Sequence, residues 1–206
     1  MRPFKEERLP ERMKALPRDR RGLPVPFIVA FGKDGTPHFT INDHRKVEKV
    51  LIEDRCGICW QTLHRKRWFV GGPRSAFETH GRYIDPPMHK ECAVFALETC
   101  PYLAVKDYGN RIDDRLARAD KAVPVSINID PTMIPDQPKV FVLSAVITSG
   151  KLSKRYTVSS QDGFTFHLGP KRPWRGVEFW RGGVEIDRAS ALEILKEDIT
   201  DEWESL

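Results

Sequence analysis

Cysteine is scarce in this chain: four in 206 residues. Three of them fall into paired spacings, and the fourth, Cys100, has no obvious partner. A disulfide framework would need an even set of spare cysteines, so a reducing, intracellular compartment and a cytoplasmic location are expected. No apolar run approaches the ~20 residues that a membrane-spanning helix needs. The N-terminus is charged and proline-rich and lacks the apolar segment of a secretory signal. Also missing are a Walker loop, a dinucleotide-binding glycine fingerprint and a Gly-x-Ser-x-Gly elbow, and with them the chemistry each supports. Gly71-Gly72-Pro73 is too short and proline-bound to cradle phosphates. Acidic residues are in deficit, and the net charge is +5. The charge is uneven: residues 1–22 hold eight Lys/Arg against four Asp/Glu, and residues 193–204 hold one Lys against six Asp/Glu. A positive middle permits contact with nucleic acid, and it equally describes a solvated, mildly basic surface.

What is present is a metal-site grammar. Cys56-Gly-Ile-Cys59 and His89-Lys-Glu-Cys92 each bracket two residues, and twenty-nine residues separate Cys59 from His89. Three thiolates and one imidazole at such spacings suit a four-coordinate Zn2+. A Cys-x-x-Cys knuckle presents two sulfurs from one tight turn, where Gly57 would tolerate positive φ. Asp85-Pro86-Pro87 announces a helix start, and Cys92–Leu97 reads as that helix, buried. Knuckle, hairpin, then helix-borne ligands make a treble-clef pattern. Four protein ligands close the coordination shell, so the metal is expected to be structural rather than catalytic. Cys100 is a poor fifth candidate. Eight helical residues beyond Cys92 place it ~12 Å further along the axis. His64, five residues after Cys59, is a weaker rival still.

The fold expected is α+β. Residues 1–24 read as a basic, proline-rich arm, extended, with no sustained apolar period. Residues 25–105 hold a hairpin-helix unit and the zinc module. Strands Val25–Phe31 and His38–Ile41 flank an Asp34-Gly35 turn. Asn42 or Asp43 caps a helix carrying Val47, Val50 and Leu51 on one face. Arg67–Gly71 is a short strand, residues 74–85 a loop, and 88–99 the zinc helix. Residues 106–136 form a polar connector, with a short charged helix at Asp113–Ala122. Residues 137–206 hold antiparallel strands and a C-terminal helix. The strands are Val140–Thr148, Arg155–Ser159, Phe164–Leu168 and Val177–Trp180. The Gly182-Gly183 turn follows, and Asp187 caps a helix with Leu192, Leu195 and Ile199 on one face.

In order, the chain shows an arm rich in Leu and Pro, a Pro-Val-Pro-Phe strand, and an Asp-Gly-x-Pro hairpin. Then come Cys56-Gly-Ile-Cys59-Trp60, Phe69-Val-Gly-Gly-Pro73, Asp85-Pro-Pro-Met-His89-Lys-Glu-Cys92-Ala93 and Glu98-Thr-Cys-Pro-Tyr102. This series resembles a group of small zinc-binding proteins of bacteriophages and bacterial mobile elements. The resemblance spans residues 20–105 well and the C-terminal strands loosely. It implies a mobile-element context and a metal site at the matching Cys and His positions, and it carries no activity with it.

Three basic-aromatic clusters stand out: Arg65, Lys66 and Arg67 before Trp68; Lys154 and Arg155 before Tyr156; and Lys171, Arg172, Trp174 and Arg175. Lys and Arg suit phosphates and aromatics stack on bases, so nucleic acid is the leading partner. Each cluster alone is equally a strand edge with solvated charges and a core Trp. A protein-binding factor engaging a host protein, with host-takeover or anti-defence effect, is the alternative. A metal-dependent HNH-like nuclease is a third reading, with His80, His38, His44, His167 or Asp113-Asp114 supplying chemistry. It is disfavoured because Gly71-Gly72-Pro73 stands where an Asp-His pair would be needed, and no catalytic residue is assigned.

Overall fold

The structure is a computed structural model describing residues 6–78, 82–106, 137–147, 166–167 and 175–196. Its strands are all antiparallel. β1 (Val29–Phe31) pairs with β2 (Pro37–Asn42). β3 (Lys66–Gly71), β5 (Phe141–Ile147), β7 (Val177–Arg181) and β8 (Val184–Ile186) form a four-stranded sheet in that order. β4 (Arg82–Tyr83) pairs with β6 (Phe166–His167). The helices are α1 (His44–Glu53), α2 (Pro73–Phe77), α3 (Lys90–Thr99), α4 (Pro101–Ala104) and α5 (Arg188–Leu195). This is the mixed helix and antiparallel-sheet composition expected of an α+β chain. Among the described residues no helix is long and apolar enough to cross a membrane.

β5 is the centre of the sheet, and six of its seven residues are buried. That burial on both faces explains an apolar run that only Ser144 interrupts. Phe141, Leu143 and Ala145 join the main core with Phe69, Phe95 and Leu97. Val140, just before the strand, packs with Ala191 and Leu195 of α5 in a second cluster. Ser144 is fully buried and meets the Tyr83 hydroxyl at 2.8 Å, so neither polar group is left unpaired.

Four local expectations change. First, β1 begins at Val29 rather than Val25. The Phe27 and Ile28 amides donate instead to the Ile58 and Gly57 carbonyls, at 2.8 and 3.2 Å, tying this segment to the knuckle. Second, the stretch expected as a loop over 74–85 contains α2 and β4. Pro73 ends β3 by lacking a donor, and its fixed φ also starts α2. Third, α5 buries Ala191 and Leu195, while Leu192 is 37% exposed. Asp187 caps the helix through the Ser190 amide, and that start sets the i, i+4 pair facing the sheet. Ile199 lies outside the described residues.

The fourth change is the arm. Glu6–Arg8 and Glu11–Met13 are 3-10 turns, and Leu9 and Met13 are buried in the main core, with Leu16 packed against it. Their spacing of four and three is helical, and it is the signal that the prolines masked. The proposed helix at Asp113–Ala122 and strand at Arg155–Ser159 lie outside the described residues. A hairpin followed by a helix occurs twice, as β1-β2-α1 and as β7-β8-α5. Asp43 and Asp187 each follow a hairpin and cap a helix with a side-chain acceptor.

Candidate metal centre

The knuckle is built by backbone bonds. Trp60 donates to Cys56 O at 3.0 Å, and Cys56 donates to Gln61 O at 2.9 Å, folding residues 56–61 into a tight turn. Arg55 and Thr62 pair across its base. The second ligand pair is set by β3. Trp68 and Met88 exchange both amide bonds, at 3.1 and 2.9 Å, which holds Met88 extended. The helix therefore begins at Lys90 rather than at residue 88. His89 is the N-cap of α3, and its carbonyl receives the Ala93 amide at 3.0 Å. Cys92 stands in the first turn, on the same side.

These segments bring Cys56, Cys59, His89 and Cys92 together. Their ligand atoms all lie within 4.8 Å of one another, and all four residues are buried. Among the described residues this is the group placed to hold a metal ion. His89 Nδ1 faces Cys59 Sγ at 3.3 Å, and Nε2 lies 3.0 Å from Thr62 O. With the Nε2–H given to that carbonyl, Nδ1 is the nitrogen left to bind a cation, as an orienting partner requires. Hydrogen bonding from Cys56 and then Cys92 holds the Cys59 thiol far below its ordinary range, against the cost of burial. Burial opposes charge on His89, yet hydrogen bonds to Cys56 and Cys59 raise its pKa to about 10. Hydrogen bonding to the same two sulfurs, then burial, pushes Cys92 up. Three sulfurs and one imidazole nitrogen thus face a common point, and a divalent cation bound there would displace the protons they share.

The arm closes over this centre. Arg12 ion-pairs with Glu91 and donates to Gln61 Oε1 at 3.3 Å, and its guanidinium lies 3.3 Å from His89 Nε2. The sequence offered no motif for Arg12, because contacts over seventy-seven residues of chain leave no local pattern. His64 is exposed and sits edge-on to the His89 ring at 5.6 Å, outside the ligand group. Cys100 is the C-cap of α3, and burial raises its thiol pKa. That suits an inert, partly buried thiol.

Gly57 has a different reason from the one expected. The positive φ of the knuckle falls on Trp60, at 64°. A Cβ built on Gly57 would lie 2.6 Å from Pro86 Cγ, in a ring that is itself buried. Gly57→Ala should therefore force the knuckle away from the Pro86-Pro87 segment that leads to His89. A cost of about 1–3 kcal/mol is expected from such overpacking. Denaturant unfolding of the metal-loaded variant checks it, and a wild-type midpoint would refute the close-approach reading.

The basic clusters fare unequally. Arg67 is 4% exposed and bonds Asp54 Oδ2 at 2.6 Å, so it faces inward and is not a surface contact. Arg65 and Lys66 are exposed, as is Arg175. Strand register brings them together: Lys66 pairs with Ile147, and Arg175 donates to Ala145 O at 2.7 Å. Lys154, Arg155, Lys171, Arg172 and Trp174 lie outside the described residues, as do His80, Asp113 and Asp114. His38 lies in β2 and His44 opens α1, neither within the group of metal ligands. His167 is in β6. Compared with protein-family models, curated proteins and solved structures, the chain finds no match.

Proposed function

We propose that this chain is a zinc-stabilised nucleic-acid-binding protein of a phage or mobile element, with the metal in a structural role. Zinc is the cation that three thiolates and one imidazole suit best, and a closed set of four protein ligands serves folding. The order of knuckle, β3 and helix-borne ligands supports a treble-clef-like module. A reducing cytoplasm would keep the sulfurs available.

The observation that carries the nucleic-acid reading is the cation group around Trp68. Lys66 Nζ lies 4.7 Å and Lys90 Nζ 5.1 Å from the centre of its ring. Gly176, next to Arg175, lies against the same ring and against Lys66. Arg65, Lys66, Lys90 and Arg175 thus share one end of the four-stranded sheet, beside the helix that carries His89 and Cys92. Glu178 pairs with Lys90 at 2.5 Å and is the acidic member of the group. Cations fixed on a rigid sheet end and helix start are suited to phosphates, which position rather than specify.

The expected result is binding of DNA or RNA that weakens steeply with salt, without cleavage. Each neutralised phosphate contributes a log–log slope of about −0.9 on duplex DNA. Replacing Arg65, Lys66 and Arg175 together with alanine should make that slope shallower by about 0.9 for each phosphate no longer neutralised. A gel-shift titration over a salt series measures this. No shift at micromolar protein in low salt would sink the reading and favour a protein partner. Product on adding magnesium or manganese would favour a nuclease.

A further inference from the structure

Trp60 holds a backbone conformation that its size disfavours, with φ of 64°. Its surroundings keep it there. The ring stacks on Phe27 with centroids 4.0 Å apart and planes 25° from parallel. Lys49 Nζ and the Arg55 guanidinium each lie 4.9 Å from the Trp60 ring, and Arg55 also donates to Trp60 O at 3.2 Å. Lys46 Nζ lies 5.8 Å from the Phe27 ring and 4.7 Å from the Phe31 ring. Lys46 is fixed by a 2.7 Å bond to Val29 O. Phe31 is 40% exposed, and Phe27 and Trp60 are partly so. Along α1, then, aromatic and cationic groups alternate: Phe31, Lys46, Phe27, Trp60, and last Lys49 and Arg55. Glu53 bonds Arg55 at 3.0 Å and lies 3.9 Å from Lys49, and the Asp43 charge acts on Lys46, so three cations stand against two carboxylates.

We infer that this strip binds single-stranded nucleic acid. Unpaired bases stack on the exposed Phe31 and lie along the cation-covered rim of the Phe27–Trp60 pair, and phosphates meet Lys46, Lys49 and Arg55. The inference rests on the nucleic-acid reading above and names the form of nucleic acid and a second surface for it. An unpaired base has a free face for an aromatic ring, whereas a duplex base is already stacked on its neighbours. The core of a protein interface is depleted of charge, which three interleaved cations contradict. The strip and the sheet-end cations flank one knuckle. Arg55 pairs with Thr62 at its base, and Asp54 accepts from Arg67, two residues beyond Arg65.

The test uses the zinc-loaded full chain and fluorescence anisotropy with labelled DNA and RNA of about twelve nucleotides, as single strands and as duplexes. Phe31→Ala removes one platform without touching a metal ligand. Trp60→Gly removes another and suits the positive φ. Each variant should lose about tenfold or more in single-strand affinity. Zinc content and duplex affinity should stay at wild-type values. If both variants bind single strands as the wild type does, while Lys66→Ala with Arg175→Ala weakens binding, the strip is refuted and the nucleic-acid reading stands. If the wild type binds no nucleic acid of any form, both fall. If Trp60→Gly sheds zinc, Phe31→Ala alone decides.

Discussion

Cys59→Ser protein should be recovered without metal and largely insoluble, whereas the wild type should carry one zinc per chain. The expected effect is large because the centre joins two segments distant in the chain, where it adds to the 3.1 Å bond from the Gly57 amide to Pro87 O. Cys56 and Cys59 come from the turn after α1, and His89 and Cys92 from the start of α3. Arg12 of the arm reaches the same place through Gln61, Glu91 and His89. Structural zinc supplies about 10–16 kcal/mol of folding free energy in small finger peptides, more than most whole domains have in reserve. His89→Ala should act in the same direction as Cys59→Ser. Cys100→Ala should keep its zinc, because Cys100 ends α3 while the ligands stand at its start. Metal analysis with circular dichroism before and after chelation reads all of these. Finding no metal in the wild type, with Cys59→Ser folded normally, would refute the centre. Zinc lost from Cys100→Ala and kept by His89→Ala would refute the ligand assignment.

Arg67→Ala should destabilise the protein by about 3–5 kcal/mol, the usual cost of removing one partner from a buried ion pair. Arg67 is 4% exposed, and Asp54 Oδ2 accepts its hydrogen bond at 2.6 Å. Asp54 is also the C-cap of α1, in a left-handed conformation with φ of 58°. The pair therefore connects the end of α1 to the start of β3, on either side of the knuckle. Truncating Arg67 leaves a carboxylate facing a space that water reaches poorly. Arg67→Met with Asp54→Asn should cost less than Arg67→Ala alone, since asparagine tolerates the left-handed cap and leaves no charge. Urea unfolding of Arg67→Met, Asp54→Asn and the double variant that combines them forms a cycle that isolates the coupling. An Arg67→Ala midpoint equal to wild type would show the pair to be a weak surface contact.

Arg67 also marks how far residue order can be read. Within Arg65-Lys66-Arg67 the three side chains look alike. Strand alternation and the nearby Asp54 turn one of them inward, and composition carries no trace of that choice. The same holds for the arm. Prolines and charges argue for an extended segment, yet Leu9, just after the first 3-10 turn, and Met13, at the end of the second, are both in the core. The knuckle does need a residue at positive φ, but Trp60 takes that conformation, and Gly57 serves instead the close approach of Pro86. That approach joins residues twenty-nine apart, and no local rule describes it.

Residue spacing alone was enough to nominate the four ligands, the capped helices α1 and α5, the strand β5 and the antiparallel class. Each depends on contacts within a few residues: an x-x spacing, an Asp before an apolar period, an apolar run that only Ser144 interrupts. Tertiary structure decided which sides these elements present. It closed the arm over the centre, buried Arg67, set Lys66 and Lys90 over the Trp68 ring, and aligned Phe31, Phe27 and Trp60 with the cations of α1. Those arrangements join residues distant in the chain. They are selected by packing and desolvation summed over the whole core, which no single stretch of residues records.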